Sequence, residues 1–423
     1  MKVAVIGAGI AGNLVALRLC RDCEVTVYEA DDHIGGHVHT HAVTVGGATH
    51  QVDTGFIVYN ERTYPRFTAL LRELGVATQP SEMSFSVRDE RTGLEYNGTS
   101  WNGLFAQRRN LLRPGFWRML ADIARFNRES LRLLDQEQQG EIPLGEYLQR
   151  EGYGRGFIEH YIVPMGAAIW STDRMSMRQF PARFFVRFLH NHGMLSVNGR
   201  PQWRVIQGGS ARYVEALVMP FRSRLNQDRP VEYVRRLPGE VVVKPRGLPA
   251  AHFDAVFLAC HSDQALKLLA DADAMERQVL CAIPYQKNEA VLHTDARLMP
   301  RSPRARAAWN YRVLPGAERA AVTYNMNVLQ SLQCPLPLLV TLNHPELIDP
   351  RKVIKSLEYS HPLFTPASPG AQRRQRELNG ARRTYFCGAY WRFGFHEDAV
   401  VSAEAALQHL AEDLGSERLR RSA

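Results

Sequence analysis

The chain has 423 residues, 45% of them hydrophobic and 22% charged, so it can bury a large core in one or two domains and is not a disordered protein. Its formal net charge of +9 suits an anionic partner, but no helix-turn-helix, RNA-binding or zinc-finger pattern accompanies the charge, and nucleic acid is not expected. No apolar run reaches the roughly eighteen residues of a transmembrane helix.

Taken in chain order, the first patterned segment is residues 2–29. Lys2 and the apolar residues through Leu17 have the outline of a secretory signal. They also carry Gly7-Ala8-Gly9-Ile10-Ala11-Gly12 between a strand at 3–6 and a helix at 11–20, so the segment reads as part of the fold and the protein as cytoplasmic. A second strand, 24–28, ends on Glu29. Each part has a physical task in holding a dinucleotide. Gly7 permits the tight turn, Gly9 lets backbone approach a pyrophosphate, and Gly12 lets the helix pack close to the sheet. The helix N-terminus offers free N–H groups to phosphate, and Glu29 stands where an acid accepts ribose hydroxyls. Cys20 and Cys23 form a C-x-x-C without a second pair; packing, rather than redox or zinc chemistry, is the reading, and the six scattered cysteines suggest a reducing compartment.

Beyond Glu29 the chain runs through Ala30-Asp31-Asp32-His33-Ile34 to the doublet Gly35-Gly36, and then to Gln51-Val52-Asp53-Thr54-Gly55-Phe56. Here it resembles the flavin-dependent amine oxidoreductase superfamily, which includes monoamine oxidases, protoporphyrinogen oxidases and phytoene desaturases. The resemblance implies FAD as cofactor and a Rossmann-type α/β domain with an interleaved α+β substrate domain. It also implies cofactor contacts at Gly7, Gly9, Ala11, Gly12, Glu29, Ala30, Gly35, Gly36, His37 and Gly55, with His37 standing where an arginine usually follows the doublet.

Further matching segments come in the superfamily's order. Gln207-Gly208-Gly209-Ser210 precedes a helix carrying Tyr213-Val214-Glu215-Ala216-Leu217. Residues 231–234 would be a strand on the adenine side, with Val234 a contact, and 254–260 a buried strand. A last strand over 384–390 contains Gly388, with Ala389 where a glutamate often stands. Gly394-Phe395-His396-Glu397-Asp398 then opens a helix to about Leu414. In the superfamily these last elements hold the ribityl phosphate and the flavin's pyrimidine edge, which implicates Gly388, Phe395, His396 and Glu397. His37, the 55–60 run, Ile169-Trp170-Ser171, Asn191-His192-Gly193, Val291-Leu292-His293-Thr294-Asp295 and 394–398 are similar to one bacterial branch. That branch also resembles the flavoprotein region N-terminal to plant cyclopropane fatty acid synthases.

This organisation assigns residues 1–60, 205–265 and 380–423 to the FAD-binding domain, and 61–204 and 266–379 to the substrate domain. The first insert contains an amphipathic stretch over 116–134, with Trp117, Leu120, Ile123, Leu131 and Leu134 among its apolar positions. The second has β-like pieces at 289–293, 320–325 and 338–342. Seven arginines fall between Arg108 and Arg132, and five between Gln372 and Arg383.

Several constellations leave alternatives open. His37, His39 and His41 alternate, which on a strand sets them on one face; zinc is conceivable, but a strand beside the cofactor, with no metal, is the preferred reading. His396 is a candidate for proton chemistry, while Glu397 or Asp398 can complement a helix N-terminus. Tyr390 and Trp391 lie where amine oxidases often have an aromatic cage, and Lys287 lies in the region from which many members present a lysine to a flavin-bound water. No hydrolase triad, P-loop or paired-carboxylate signature is present.

The leading expectation is an FAD-dependent dehydrogenase, desaturase or oxidase that removes hydride from an apolar substrate, an acyl lipid or isoprenoid. The alternatives are an amine oxidase, or a flavin-binding accessory protein or redox-neutral isomerase beside a lipid-modifying enzyme. The arginine-rich stretch adds an expected peripheral contact with anionic membrane on its inner face.

Overall fold

The computed structural model describes residues 1–135, 141–196, 199–317 and 319–416. The end of the third expected cofactor segment, residues 417–423, lies outside them. Strand β1 (Lys2–Ile6) is buried on both faces, as an apolar run without alternation requires in a parallel sheet covered by helices. It pairs in parallel with β2 (Glu24–Tyr28) on one side and with Ala255–Leu258 on the other. Leu225–Asn226 extends the sheet beyond β2, and Thr384–Phe386 extends it beyond Ala255–Leu258. The register aligns Ile6 with Tyr28 and Leu258, and Leu258 with Phe386. All five strands therefore end at one level. The residues that leave them (Gly7, Glu29, Ala259, Cys387) gather along the carboxyl edge, where open α/β sheets bind ligands.

Helix α1 (Ile10–Leu19) begins one residue earlier than the sequence suggests and packs against the C-terminal helix His396–Asp413. The last strand is shorter than the expected 384–390. At Gly388 (φ 153°) the chain leaves the sheet and forms the turn Ala389–Trp391. Helix α2 (Pro65–Glu73) sends Phe67, Leu70 and Leu71 into the same apolar cluster as α1 and His396–Asp413. The packing thus carries the first segment past residue 60, where sequence alone ends it.

The second body centres on a seven-stranded sheet. Its order is Val353–Pro362, Tyr285–His293, Leu339–Leu342, Ala321–Asn325, Trp309–Val313, Phe85–Asp89 and Leu94–Asn97. Neighbours are antiparallel except Trp309–Val313 with Phe85–Asp89. Over it lies a helical layer that includes α3 (Trp101–Leu104), α4 (Pro114–Glu129), Val163–Trp170 and Ala182–Asn191. The expected amphipathic stretch over 116–134 is α4 continued by a short 3₁₀ turn, Ser130–Leu133. Spacing of three and seven residues turns Phe116, Met119 and Phe126 inward and leaves Trp117 on the outer face. Among the described residues no helix is long and apolar enough to cross a membrane.

Candidate active site

The candidate site has two parts, a glycine loop and a cluster of rings, linked by His37, which follows the Gly35-Gly36 doublet. At the first, β1 runs into the glycine loop and α1. Gly7 sits at φ 101°, and a Cβ there would lie 2.8 Å from the Ala259 carbonyl oxygen. A Cβ at Gly12 would collide with the Gly7 carbonyl, and Ala11 is buried beside it. Gly9 differs from both. Its φ of −71° suits any residue, and a Cβ there would meet nothing within 4 Å. The space before it is open.

Gly35 donates its N–H to the Ala8 carbonyl (2.9 Å), bringing the Gly35-Gly36 doublet against Gly9, while a Cβ on Gly36 would stand 3.3 Å from the Gly9 Cα. Helix α1 has no side-chain cap, so the N–H groups of its first turn have no side-chain partner at this opening. The buried Glu29 carboxylate accepts from Ala8 N–H (2.6 Å) and Asp31 N–H (3.0 Å), and burial raises its pKa. Two amides leave lone pairs over for hydroxyl donors. Ala30, next to it, is exposed. Helix amides without a side-chain cap, an open glycine face and an acid beyond it are the donor and acceptor set a dinucleotide needs, and FAD fits it.

A clasp that sequence alone does not show ties this end together. Asp53, fully buried, accepts from Thr40 Oγ1 (2.5 Å), Ser210 N–H (2.9 Å), Ser210 Oγ (2.7 Å) and Gln330 Nε2 (2.9 Å). It joins the chain after the first glycine doublet to that after the second. Gly55 packs so closely on the His37 carbonyl that a Cβ would overlap it.

The second end is made of rings. His37 turns inward: its Nε2–H donates to the Ser360 carbonyl (3.1 Å), and its ring lies 5.4 Å from Tyr359, 5.3 Å from His361 and 6.0 Å from His261. His261 stacks on Tyr285 at 4.3 Å, and Asn288 Nδ2 donates to His361 Nδ1 (3.0 Å). His396 stacks on Phe56 at 3.6 Å and bonds to the Tyr213 hydroxyl at 3.0 Å. Burial pushes all four imidazoles down, to about 4 for His261 and about 3 for His361, so they are neutral near pH 7. Beyond them Phe188 stacks on Phe395 (5.0 Å), Phe184 lies tilted against Phe393 (4.6 Å), and Trp170 donates Nε1–H to the Phe393 carbonyl (2.9 Å).

Other expected site residues have structural partners of their own, and one, Lys287, turns away. Lys287 projects to solvent and pairs with Glu358 at 2.8 Å. Strand alternation explains it: Asn288, the neighbour, is the residue that faces the histidines. The Glu397 carboxylate accepts from Arg66 N–H (3.0 Å) and Phe67 N–H (2.9 Å), capping α2, while Asp398 caps its own helix at Phe395 N–H (2.9 Å). Val234 is buried in an antiparallel meander, and its carbonyl is already engaged by Ala270 N–H (2.9 Å). Tyr390 is buried with its ring against Trp391 (5.0 Å), and Gly388 packs on the Tyr390 ring. The three alternating histidines do not act as a set. His39 and His41 lie 4.1 Å apart with their rings tilted, strand Thr40–Val45 starts only after His39, and His37 leaves them for the interior. Among the described residues no cluster of three or more His, Cys, Asp or Glu could hold a metal. Cys20 and Cys23 are buried, unlinked thiols.

Residues 10–303 match the family described as flavin containing amine oxidoreductase. No curated protein matches the sequence. Among solved structures, a cyclohexylamine oxidase from Brevibacterium oxydans superposes with a TM-score of 0.72 at 15% identity, covering 98% of this chain and 99% of that one. A fatty acid isomerase from P. acnes that produces CLA does so with a TM-score of 0.69 at 16% identity, covering 96% and 98%. A putrescine oxidase bound to putrescine gives 0.69 at 14% identity, covering 97% and 99%.

Proposed function

The chain belongs to the flavin containing amine oxidoreductase family, as an FAD-dependent oxidoreductase on a Rossmann-type α/β fold, and from that premise we propose that its substrate is apolar, an acyl lipid or isoprenoid chain. One observation carries the reading: the groups gathered around His37, from Phe56 and Tyr285 to Tyr359 and His361, are rings whose histidines burial keeps uncharged, while the carboxylates nearest them, Asp53 and Asp263, have partners in Thr40, Ser210 and Gln330 and in Lys267. An alkylammonium desolvated against uncharged rings loses its hydration, whereas a hydrocarbon chain loses nothing. The fold does not choose, because it serves amine oxidases and a fatty acid isomerase alike.

In this reading, residues 1–60 extended through α2, with 205–265 and 380–416, hold the cofactor, and the remainder contributes the substrate side. Gly9 and Gly36 admit the pyrophosphate, α1 supplies N–H donors, and Glu29 accepts from ribose. FAD, when bound, supplies the oxidising power by accepting a hydride. The protein's part is to orient the C–H bond, exclude water with Phe188, Phe393 and Phe395, and receive the accompanying proton. His37 suits that last task. Its Nε2–H is fixed on the Ser360 carbonyl, which leaves the Nδ1 lone pair as the acceptor. The test is product analysis of the holoenzyme with acyl lipids, isoprenoids and amines under air. A product lighter by two hydrogens from a lipid supports the proposal. An aldehyde from an amine, with every lipid unchanged, replaces it by the amine oxidase reading; a lipid product of unchanged mass replaces it by the isomerase reading.

A further inference from the structure

The two basic stretches have different fates in the fold. In the C-terminal one three of the five arginines are paired internally: Arg374 with Glu377, Arg376 with Asp413, and Arg382 with Asp271, Asp273 and Glu276. In the other, Arg125 pairs with Asp122 and lies over the Tyr153 ring, and Arg128 pairs with Glu129. Arg108, Arg109 and Arg113 are different. They bond only neutral oxygens, those of Phe105, Asn102, Gly93 and Asn110, and no ion pair involves them among the described residues. Residues 98–121 contain no Asp or Glu at all.

The same surface exposes large apolar side chains. Trp101 is 71% exposed, Leu112 87%, Leu111 46% and Trp117 44%. They are contiguous: Trp101 and Trp117 flank Phe105 at 6.1 and 5.4 Å, and Trp117 Nε1–H donates to the Leu111 carbonyl (2.9 Å). The turn Pro303–Ala305 packs against α3 and brings the exposed Arg304 and Arg306 to its margin.

We propose that this face, with Trp101, Leu111, Leu112 and Trp117 ringed by Arg108, Arg109 and Arg113, is a docking surface for an anionic lipid bilayer. Tryptophan and leucine at the tip enter the headgroup–acyl boundary, and unpaired arginines meet the negative leaflet at its rim. A second copy of the chain fits less well, because a twofold contact would set like charges against one another. The proposal does not rest on the substrate reading: attachment and flavin chemistry are measured separately.

Flotation of the holoprotein with vesicles of phosphatidylcholine, with and without phosphatidylglycerol, tests it. Wild type is expected to float with the anionic vesicles at low salt, to detach as salt rises, and to ignore the neutral ones. Replacing Arg108, Arg109 and Arg113 together by Gln should weaken binding about a hundredfold, roughly fivefold per charge. Trp101→Ser with Leu112→Ser should abolish flotation while flavin content and thermal midpoint stay at wild-type values. Wild type that ignores anionic vesicles, variants that float like wild type, or a wild-type dimer that Leu112→Arg splits would each overturn the proposal, the last in favour of a contact between copies.

Discussion

The two parts of the candidate site are built from different materials. The end at Gly7–Gly12 is made largely of backbone: its contacts are amides, carbonyls and missing Cβ atoms, and the acid beside the glycine loop, Glu29, is itself held by amides. The end at His37 and His361 is made of side chains, uncharged rings brought in from separate segments. A backbone cradle recognises phosphate whatever the side chains are, so it suits a constant cofactor. A wall of rings can change with each substitution, and suits the part of the reaction that differs between relatives. That comparison predicts large, selective losses at the first end and graded effects at the second.

The largest effect is expected at Gly9. Since a Cβ there meets no protein atom, Gly9→Val should leave the fold intact and fill the space the cofactor needs. Purified variant should be colourless, with FAD release on denaturation falling at least about tenfold against wild type, a factor worth roughly 1.4 kcal/mol, and its circular dichroism unchanged. Retained flavin would break the comparison at its firmest point. Glu29→Ala removes a charge-assisted acceptor worth about 1.5–3 kcal/mol, and FAD titration of the apoprotein should show affinity lowered roughly 10- to 100-fold.

Glu397 sharpens the boundary between support and contact. Glu397→Ala takes the cap from α2, and urea unfolding should show a loss of about 1–2 kcal/mol with the flavin spectrum unaltered. A shifted spectrum would return Glu397 to the cofactor site.

At the ring end the consequence is one of pH. His261 and His361 titrate below their unfolded value of 6.5, so the unfolded chain takes up protons first as pH falls. Their contribution to stability is complete above pH 6.5 and is lost as pH falls through about 4 for His261 and about 3 for His361. His361→Gln should flatten that acid limb by on the order of 2 kcal/mol, measured as unfolding free energy against pH. The smallest effect is at Lys287, whose exposed pair with Glu358 puts it outside the site. Lys287→Ala should alter the rate of flavin reduction less than about twofold, because a surface ion pair contributes at most about 1 kcal/mol.

The contrast also governs what the sequence reveals. The cradle is contiguous. Gly7, Gly9 and Gly12, the strand on either side, and Glu29 fall within one βαβ unit whose spacing is fixed by the turn and the helix. The ring cluster has no such spacing. His37, His261, Tyr285, Tyr359 and His361 meet only because the seven-stranded sheet sets the edge of Tyr285–His293 and Val353–Pro362 against the first glycine doublet. Asn288 is the immediate neighbour of Lys287, and only strand register separates inward from outward. Asp53 lies within a legible motif, but its role depends on Ser210 and Gln330, far along the chain. Apolar periodicity locates α4 well, yet it points to the helix as the exposed surface, whereas the exposed side chains cluster at its start and in the turns before it.

The central claim is that an FAD held by the glycine cradle faces an uncharged, ring-lined site that takes hydride from a hydrocarbon chain. Anaerobic mixing of the holoprotein with acyl lipid, isoprenoid or amine, read by the absorbance band of the oxidised flavin, tests it most directly. The account predicts bleaching by a lipid or isoprenoid chain in proportion to the unsaturated product formed, with amines leaving the band unchanged. Bleaching by an amine alone would contradict it.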